Sequence, residues 1–163
     1  MSTATAEGVN ARGYLTAWLG AVTPMVVADI KAIPDGKWAE NFGGCTRPAN
    51  HLLADTVTLL TWMTETIEGK QSDAYKHMGA LAADLADKGR AVAALQHASA
   101  ALAKAITEAS DETLNSTVPA PWQLPTPIFM LAQIAVSHIW YHDGQFNYIH
   151  CLLGDDKMYW MGE

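Results

Sequence analysis

The sequence predicts an all-α protein, a bundle of four main helices with an extra short helix or ordered loop between the second and the third. Apolar residues recur at steps of three or four along most of the 163 residues, which is typical of helices with one buried face. Glycines and prolines concentrate between these periodic segments, and no segments have the alternation typical of paired strands. A chain of this length is expected to form a single domain over residues 1–163, with a core that needs no disulfides.

The first helix is predicted from one apolar face, made of Tyr14, Trp18, Val22, Met25, Ala28 and Ala32. Pro24 lies inside this segment, so we expect a kink there, or a break in which Thr23 caps a helix that begins at Pro24. Residues 33–37 have the composition of a turn, and residues 41–48 predict a second loop.

Three more main helices follow. Residues 48–69 have apolar side chains at helical spacing, but their many threonines lower the helix propensity, so packing must stabilise this helix. Residues 72–86 predict the extra short helix, and residues 88–109 an alanine-rich third main helix. After a proline-rich loop at 118–125, the last helix is predicted to begin with Thr126 as cap and Pro127 in the first turn. It is expected to run to Leu153 and to stop at Gly154.

Composition excludes several classes of function. The net charge is −7 and only ten residues are Lys or Arg, so a basic surface for nucleic acid or for an anionic membrane is not expected. The longest apolar run, residues 128–141, is interrupted by polar residues and is shorter than the roughly 20 residues of a membrane span. Residues 1–8 lack the features of a secretory signal, and two cysteines fit no disulfide framework. A soluble, cytoplasmic protein is expected.

The sharpest chemical feature is the segment 138–145, His-Ile-Trp-Tyr-His-Asp-Gly-Gln. His138 and His142 are four residues apart on a predicted helix, so their imidazoles share a face and can bind one metal ion. The neighbouring positions of that face are mostly apolar, where unpaired ring nitrogens are costly. The spacing leaves two other interpretations open, histidines hydrogen-bonded within the core and histidines on the surface.

Other residues of interest are expected to have structural roles. Gly144 costs about 1 kcal/mol relative to alanine inside a helix, so it is expected to give room beside the site, or else to be tolerated on the exposed side. Cys151 is expected to be a small core residue, and Cys45 to be exposed in its glycine-rich loop. Three other histidines are not expected to bind a metal, namely His77, His97 and His150.

The last helix resembles that of the DinB-like family, four-helix-bundle metalloproteins that include thiol-dependent isomerases and transferases. The resemblance is carried by His138, by His142-Asp-Gly-Gln145, by Tyr148-Ile149 and by the Leu-Leu-Gly-Asp at residues 152–155. The Gly-Gly-Cys-Thr-Arg loop at residues 43–47 and Pro127 at the start of the last helix also fit. The resemblance implies a divalent metal held by three residues, two of which are His138 and His142.

The resemblance places the third ligand, usually a histidine, early in the second helix. His51 and Asp55 are both candidates, and because they are four apart on one helix face, either can reach the ion. A carboxylate also binds zinc, and it suits harder ions such as Mn²⁺ better than an imidazole does. Each has a plainer interpretation, His51 as a surface residue and Asp55 as a solvated acid. If neither binds, the site is metal-free.

The resemblance implies a metal-dependent enzyme with Zn, Ni, Mn or Fe as the ion. Its reaction is expected to be a transfer or isomerisation that uses a low-molecular-weight thiol as cosubstrate, or a hydrolysis by metal-bound water. Gln145 and Tyr148 are expected to orient a ligand or to contact the substrate. The alternative is a non-catalytic bundle that binds a small ligand or a partner, with a structural or absent metal. A homodimer is expected, with Trp140 and Trp160 as candidates for its interface.

Overall fold

The computed structural model describes residues 10–120 and 124–161. Seven helices occur in these residues: α1 (Ala11–Ala32), α2 (Asp35–Trp38), α3 (Ala49–Ile67), α4 (Ala74–Asp84), α5 (Lys88–Glu108), α6 (Asp111–Asn115) and α7 (Ile128–Leu152). A 3₁₀ turn, Tyr159–Met161, follows α7. The four long helices form a bundle in which α1 and α3 each pack against both α5 and α7. The predicted all-α four-helix architecture is confirmed, and the extra short helix is α4.

Helix α1 is continuous through Pro24, so the predicted break is wrong. Thr23 caps no new helix, because its hydroxyl donates to the Leu19 carbonyl at 2.7 Å, one turn back. The predicted buried face is also wrong, since Tyr14 and Trp18 are 54% and 36% exposed. The buried face of α1 is formed instead by Leu15, Leu19, Val22, Val26, Val27, Asp29 and Ile30. Because α1 is apolar on most sides, helical spacing alone fits either face.

Among the described residues, α1 is the one helix long and apolar enough to cross a membrane, with a mean hydropathy of 1.2 over its most apolar 18 residues. Only 39% of that stretch is buried. In the bundle the core-facing side chains of α1 pack against α5 and α7. A helix buried in a protein core is as apolar as a helix that spans a membrane, so the composition of α1 agrees with its place in the bundle.

Helix α3 lies within two residues of its predicted bounds. Its threonines are accommodated by hydroxyl groups that donate to the carbonyl one turn earlier, as found at Thr56, Thr61, Thr64 and Thr66. These bonds satisfy the hydroxyl groups locally, while thirteen residues of the helix are buried. As predicted, packing against the bundle stabilises this helix.

A short antiparallel ladder of β1 (Thr117–Pro119) and β2 (Pro125–Pro127) precedes α7. The prediction that no strands pair is therefore wrong. Three-residue strands rich in proline carry no alternating pattern to detect. Thr126 lies in β2 opposite Val118 and does not cap α7, which begins at Ile128 after Pro127. Residues 121–123 of the predicted loop, including Trp122, lie outside the described residues.

The C-terminal end of α7 agrees with the prediction. The helix ends at Leu152, and Gly154 follows with a φ of +81°, a left-handed conformation that glycine adopts without steric cost. The core beside this half of α7 contains Phe146, whose ring lies 6.0 Å from that of Trp38 on α2. Both side chains are fully buried, so α2 closes the end of the bundle that carries the predicted site.

Candidate metal centre

Three metal-ligating side chains meet between α3 and α7. The ligand atoms of Asp55, His138 and His142 all lie within 4.8 Å of one another. His51 is exposed and is not part of this group. One turn further along α3, Asp55 lies on the side of the helix that packs against α7. Of the two candidates for the third ligand, the fold thus brings Asp55 to the histidine pair and leaves His51 outside.

The helical repeat of α7 places the two histidines as the sequence predicts. The ring centroids of His138 and His142 are 4.4 Å apart, and the ring planes are nearly perpendicular at 88°. His142 is fully buried, whereas His138 is partly buried. The interpretation of both as surface residues is therefore excluded.

Gln145 fixes the orientation of His142. Its Oε1 accepts a hydrogen bond from His142 Nδ1 at 2.6 Å, while its Nε2 donates to the Tyr141 hydroxyl at 3.4 Å. A neutral imidazole carries one proton, so a protonated Nδ1 leaves a lone pair on Nε2. The expectation that Gln145 orients a ligand agrees with this geometry.

The lone pair of His142 Nε2 faces the Asp55 carboxylate. Nε2 lies 3.3 Å from Asp55 Oδ2, and within the described part of the chain this buried nitrogen has no hydrogen-bond partner. Two electron-rich atoms at this separation require a cation, a proton or a metal ion, between them. A carboxylate oxygen and two imidazole nitrogens are ordinary ligands of a divalent transition metal, so the residues present fit such an ion.

Asp55 also carries an ion pair with Arg47, whose Nη1 donates to Asp55 Oδ2 at 2.9 Å. A proton between His142 Nε2 and Asp55, together with the hydrogen bond from Arg47, holds the pKa of the Asp55 carboxyl well below its usual value, against the opposing effect of burial. Asp55 is therefore ionised throughout the physiological pH range, as a metal ligand must be.

His138 is kept neutral by its surroundings. Burial lowers its pKa, and the neighbouring His142 lowers it further. Its Nδ1 is buried and forms no hydrogen bond to the residues that the structure describes. A neutral histidine with an unpaired ring nitrogen is in the state that binds a metal ion.

The loop before α3 places Arg47 over Asp55. Gly43 and Gly44 have φ values of +99° and +59°, which residues with a Cβ rarely adopt. Asn41 ties the ends of the loop together, because its amide donates to the Thr46 carbonyl at 2.9 Å and its Oδ1 accepts from the Thr46 hydroxyl at 3.0 Å. The ion pair of Arg47 with Asp55 was not predicted, since it joins a loop residue to a residue eight positions later.

A second buried polar cluster lies between α1 and α7, and sequence reasoning missed it. Asp29 and Asp143 are 0% and 2% exposed, and the Oδ1 atom of each carboxyl group is buried without a hydrogen-bond partner among the described residues. Asn147 Nδ2 donates to Asp29 Oδ2 at 3.1 Å, and His150 Nε2 lies 3.1 Å from the Asp29 carbonyl oxygen. Burial, followed by the neighbouring Asp29, raises the pKa of Asp143 to about 8. An acid at a core position of α1, in register with Val22 and Val26, was the available signal.

The remaining expectations have mixed outcomes. His77 and His97 are exposed. His150 is buried in the second polar cluster, beside Asp29, and lies outside the group of ligands. Cys45 is exposed as expected, but Cys151 is also exposed, which corrects its prediction as a core residue. Cys151 lies on the side of α7 that faces solvent.

Gly144 gives no room beside the site. It is exposed, and a Cβ built on it meets no other atom within 4 Å. The interpretation as a glycine tolerated on the exposed side of α7 is the one that agrees with the structure.

A cavity of about 400 Å³ lies between the loop before α3 and the end of α7, and His138 itself lines a separate cavity of about 390 Å³. Arg47 and Gln145 line the first of these cavities and also contact ligands, Arg47 through Asp55 and Gln145 through His142. The other lining residues come from the loop before α3, from α3 and from the end of α7; they are Phe42, Cys45, Thr46, Leu52, Tyr148, Ile149 and Leu152. Tyr148, expected near the site, lies in the wall of this cavity together with Arg47 and Gln145.

Comparisons with known proteins support the fold. No protein-family model matches the chain, and no curated protein matches it significantly. Among solved structures, the crystal structure of the mycothiol-dependent maleylpyruvate isomerase is similar, with a TM-score of 0.66 and 14% sequence identity. The alignment covers 83% of this chain and 60% of that chain, so the chain spans about three fifths of the isomerase. The chain has the helical-bundle fold of this isomerase, the DinB-like fold that the motif of its last helix predicts.

Proposed function

We propose that the chain is a metal-dependent enzyme in which Asp55, His138 and His142 hold one divalent ion. The observation that carries this proposal is the buried Nε2 of His142, which has no hydrogen-bond partner among the described residues and lies 3.3 Å from Asp55 Oδ2. Gln145 supports the same assignment, since its bond to Nδ1 directs the free lone pair toward Asp55. Zinc, nickel, manganese and iron(II) all accept this donor set.

The number of ligands favours catalysis over a structural role. A closed structural zinc site takes four protein ligands, whereas catalytic sites use three. His51, which would supply a fourth, is exposed and outside the group. An ion held by three protein ligands lowers the pKa of a water or thiol bound at its remaining position. The cavity of about 390 Å³ that His138 lines supports access of a small molecule to the site.

The class of reaction follows from the same site. The similar isomerase depends on mycothiol according to its name, so a low-molecular-weight thiol is proposed as cosubstrate in a transfer or isomerisation. Hydrolysis by metal-bound water needs no cosubstrate and is the simpler variant. In both, Gln145 keeps His142 in its metal-binding tautomer, and Arg47 orients the Asp55 carboxylate. A cytoplasmic homodimer without nucleic-acid or membrane partners remains a prediction.

The experiment is elemental analysis of the purified protein and of four single variants. Wild type is expected to contain about one divalent ion per chain, and His142→Ala and Asp55→Asn to lose it because each removes a ligand. His51→Ala and His97→Ala remove exposed imidazoles and are expected to retain the ion. Metal-free wild-type protein that shows no binding heat when titrated with zinc would contradict the proposal. Loss of the ion in His51→Ala but not in Asp55→Asn would assign the third ligand to His51.

One observation favours the alternative of a non-catalytic bundle without metal. The 3.3 Å contact of His142 with Asp55 is also the geometry of a His–Asp ion pair, and Arg47 gives the same carboxylate a second cationic partner, so that these two side chains together occupy the carboxylate without a metal. Melting curves with and without EDTA separate the two functions. A bound ion raises the melting temperature by mass action, so unchanged melting together with an empty elemental analysis would favour the metal-free bundle.

A further inference from the structure

The cavity between the loop before α3 and the end of α7 has one cationic group in its wall. Arg47 is the charged residue among those that line it, and its side chain is 43% exposed. Its single hydrogen bond within the described residues runs from Nη1 to Asp55. A guanidinium has five N–H donors in a rigid fork, so most of its donors remain available to a ligand in the cavity.

The charge balance around Arg47 favours an anion. Asp55 carries one negative charge and Arg47 one positive charge, and the two side chains form an ion pair. The pair is therefore close to neutral by itself, and any divalent ion bound there leaves an excess of positive charge. Arginine forks bind carboxylates through two parallel hydrogen bonds, which are stronger than bonds between neutral groups.

The opposite walls of the cavity are apolar. Phe42, Leu52, Ile149 and Leu152 contribute hydrocarbon surface, and Tyr148 adds an exposed ring. Leu152 is 48% and Tyr148 63% exposed, so this surface is open to a ligand. A volume of about 400 Å³ is at the small end of ligand sites. The walls fit a hydrocarbon body of a few carbon atoms, with its head group toward Arg47.

We propose that this cavity binds a small carboxylate with an aliphatic or aromatic body, and that Arg47 is the residue that selects its anionic head. The location of the carboxylate next to the reacting position depends on the proposed metal-dependent function. The selection by Arg47 does not, since it requires only the cavity and the free donors of the guanidinium.

The test compares hexanoate with hexanamide, which have the same carbon chain and differ in the charge of the head group. Dissociation constants are measured by NMR titration for the full chain, both metal-free and zinc-loaded, with the zinc content determined in parallel. Hexanoate is expected to bind wild type about tenfold more tightly than hexanamide in both forms, a difference of about 1.4 kcal/mol.

Arg47→Met keeps the hydrocarbon stem and removes the charge, so it is expected to abolish the preference for hexanoate. Arg90→Met is the matched control, since Arg90 is a half-exposed arginine that pairs with Asp84 outside the cavity, and it should keep the preference. Leu152→Asp changes an exposed wall residue and is expected to weaken hexanoate binding by charge repulsion. This variant serves as the test if Arg47→Met does not fold.

The outcomes separate the two proposals. Equal binding of hexanoate and hexanamide to metal-free wild type, or an unchanged preference in Arg47→Met, overturns the carboxylate proposal whether or not zinc binds. Absence of zinc from wild type, with the preference intact, overturns the metal-dependent function and leaves the carboxylate site standing.

Discussion

Replacing Asp143 by asparagine is predicted to stabilise the protein at neutral pH, although it removes a buried acidic residue. Asp143 is 2% exposed, and its carboxyl group interacts with that of the buried Asp29. Burial and the neighbouring carboxyl raise the pKa of Asp143 from 3.8 to about 8. At pH 7 the folded protein therefore holds a proton that the unfolded chain has released. The side-chain amide introduced by Asp143→Asn would supply a hydrogen-bond donor to Asp29 without proton uptake.

The sign and size of the stabilisation expected for Asp143→Asn follow from proton linkage. Between about pH 4 and pH 8 the folded state binds more protons than the unfolded state, so wild-type stability falls as the pH rises, by up to about 1.4 kcal/mol per pH unit. Over the interval from 3.8 to 7 this amounts to about 4 kcal/mol at most. The Asp143→Asn variant lacks this loss. Its advantage over wild type is expected to be smallest at about pH 4 and to grow with each pH unit up to about pH 8.

The assay is urea unfolding of wild type and variant at pH 5, 6, 7 and 8, with EDTA present so that metal binding does not contribute. Titrating groups other than Asp29, whose pKa also depends on Asp143, are common to both proteins and cancel in the difference between their unfolding free energies. Asp156→Asn is the control, because Asp156 is exposed and should leave the pH dependence unchanged. Parallel stability curves for wild type and Asp143→Asn across this range would refute the assignment of a shared proton to the Asp29–Asp143 pair.

Two further predictions concern the core and the glycines. Phe146→Ala is expected to cost about 3–5 kcal/mol because the ring is fully buried against Trp38, whereas Phe129→Ala, at a partly buried position, should cost clearly less in the same urea assay. Gly144→Ala is expected to raise stability by about 0.5–1 kcal/mol, since it adds a methyl group in open space on a helix. Gly154→Ala should lower the stability by about 1 kcal/mol, because the φ of Gly154 is +81°. Equal shifts of the melting temperature in the two glycine variants would contradict these predictions.

The helices of the bundle could be predicted because their signals are local. Repeats of three to four residues, with glycine or proline at the ends, located α3, α5 and α7 to within about two residues. Local signals did not predict the structure where the sequence showed no preference between two possibilities. Helix α1 is apolar on most sides, so its sequence does not indicate which face the bundle buries. The strands β1 and β2 are too short and too rich in proline to show a period.

Local patterns likewise predict one part of the candidate site and do not predict the other. His138 and His142 share a face because of the α-helical repeat alone, so their proximity was predictable. His51 and Asp55 share a face of α3, one turn apart, and only the packing of α3 against α7 decides which of the two turns meets the histidine pair. Arg47 reaches Asp55 through a loop whose shape depends on Gly43, Gly44 and the side-chain bonds of Asn41. No spacing rule predicts that contact.

Local patterns in the chain are sufficient for the helical class, the order of the helices and the histidine pair, since each depends on residues within a few turns of one another. Packing of the helices selects which of His51 and Asp55 joins the histidine pair, which cation lies in the cavity and where the buried acidic pair forms. These contacts join α7 to α1 and to α3, and α3 to the loop before it. They depend on how helices rotate and pack against each other, which is set by the burial of the whole core and not by any local pattern.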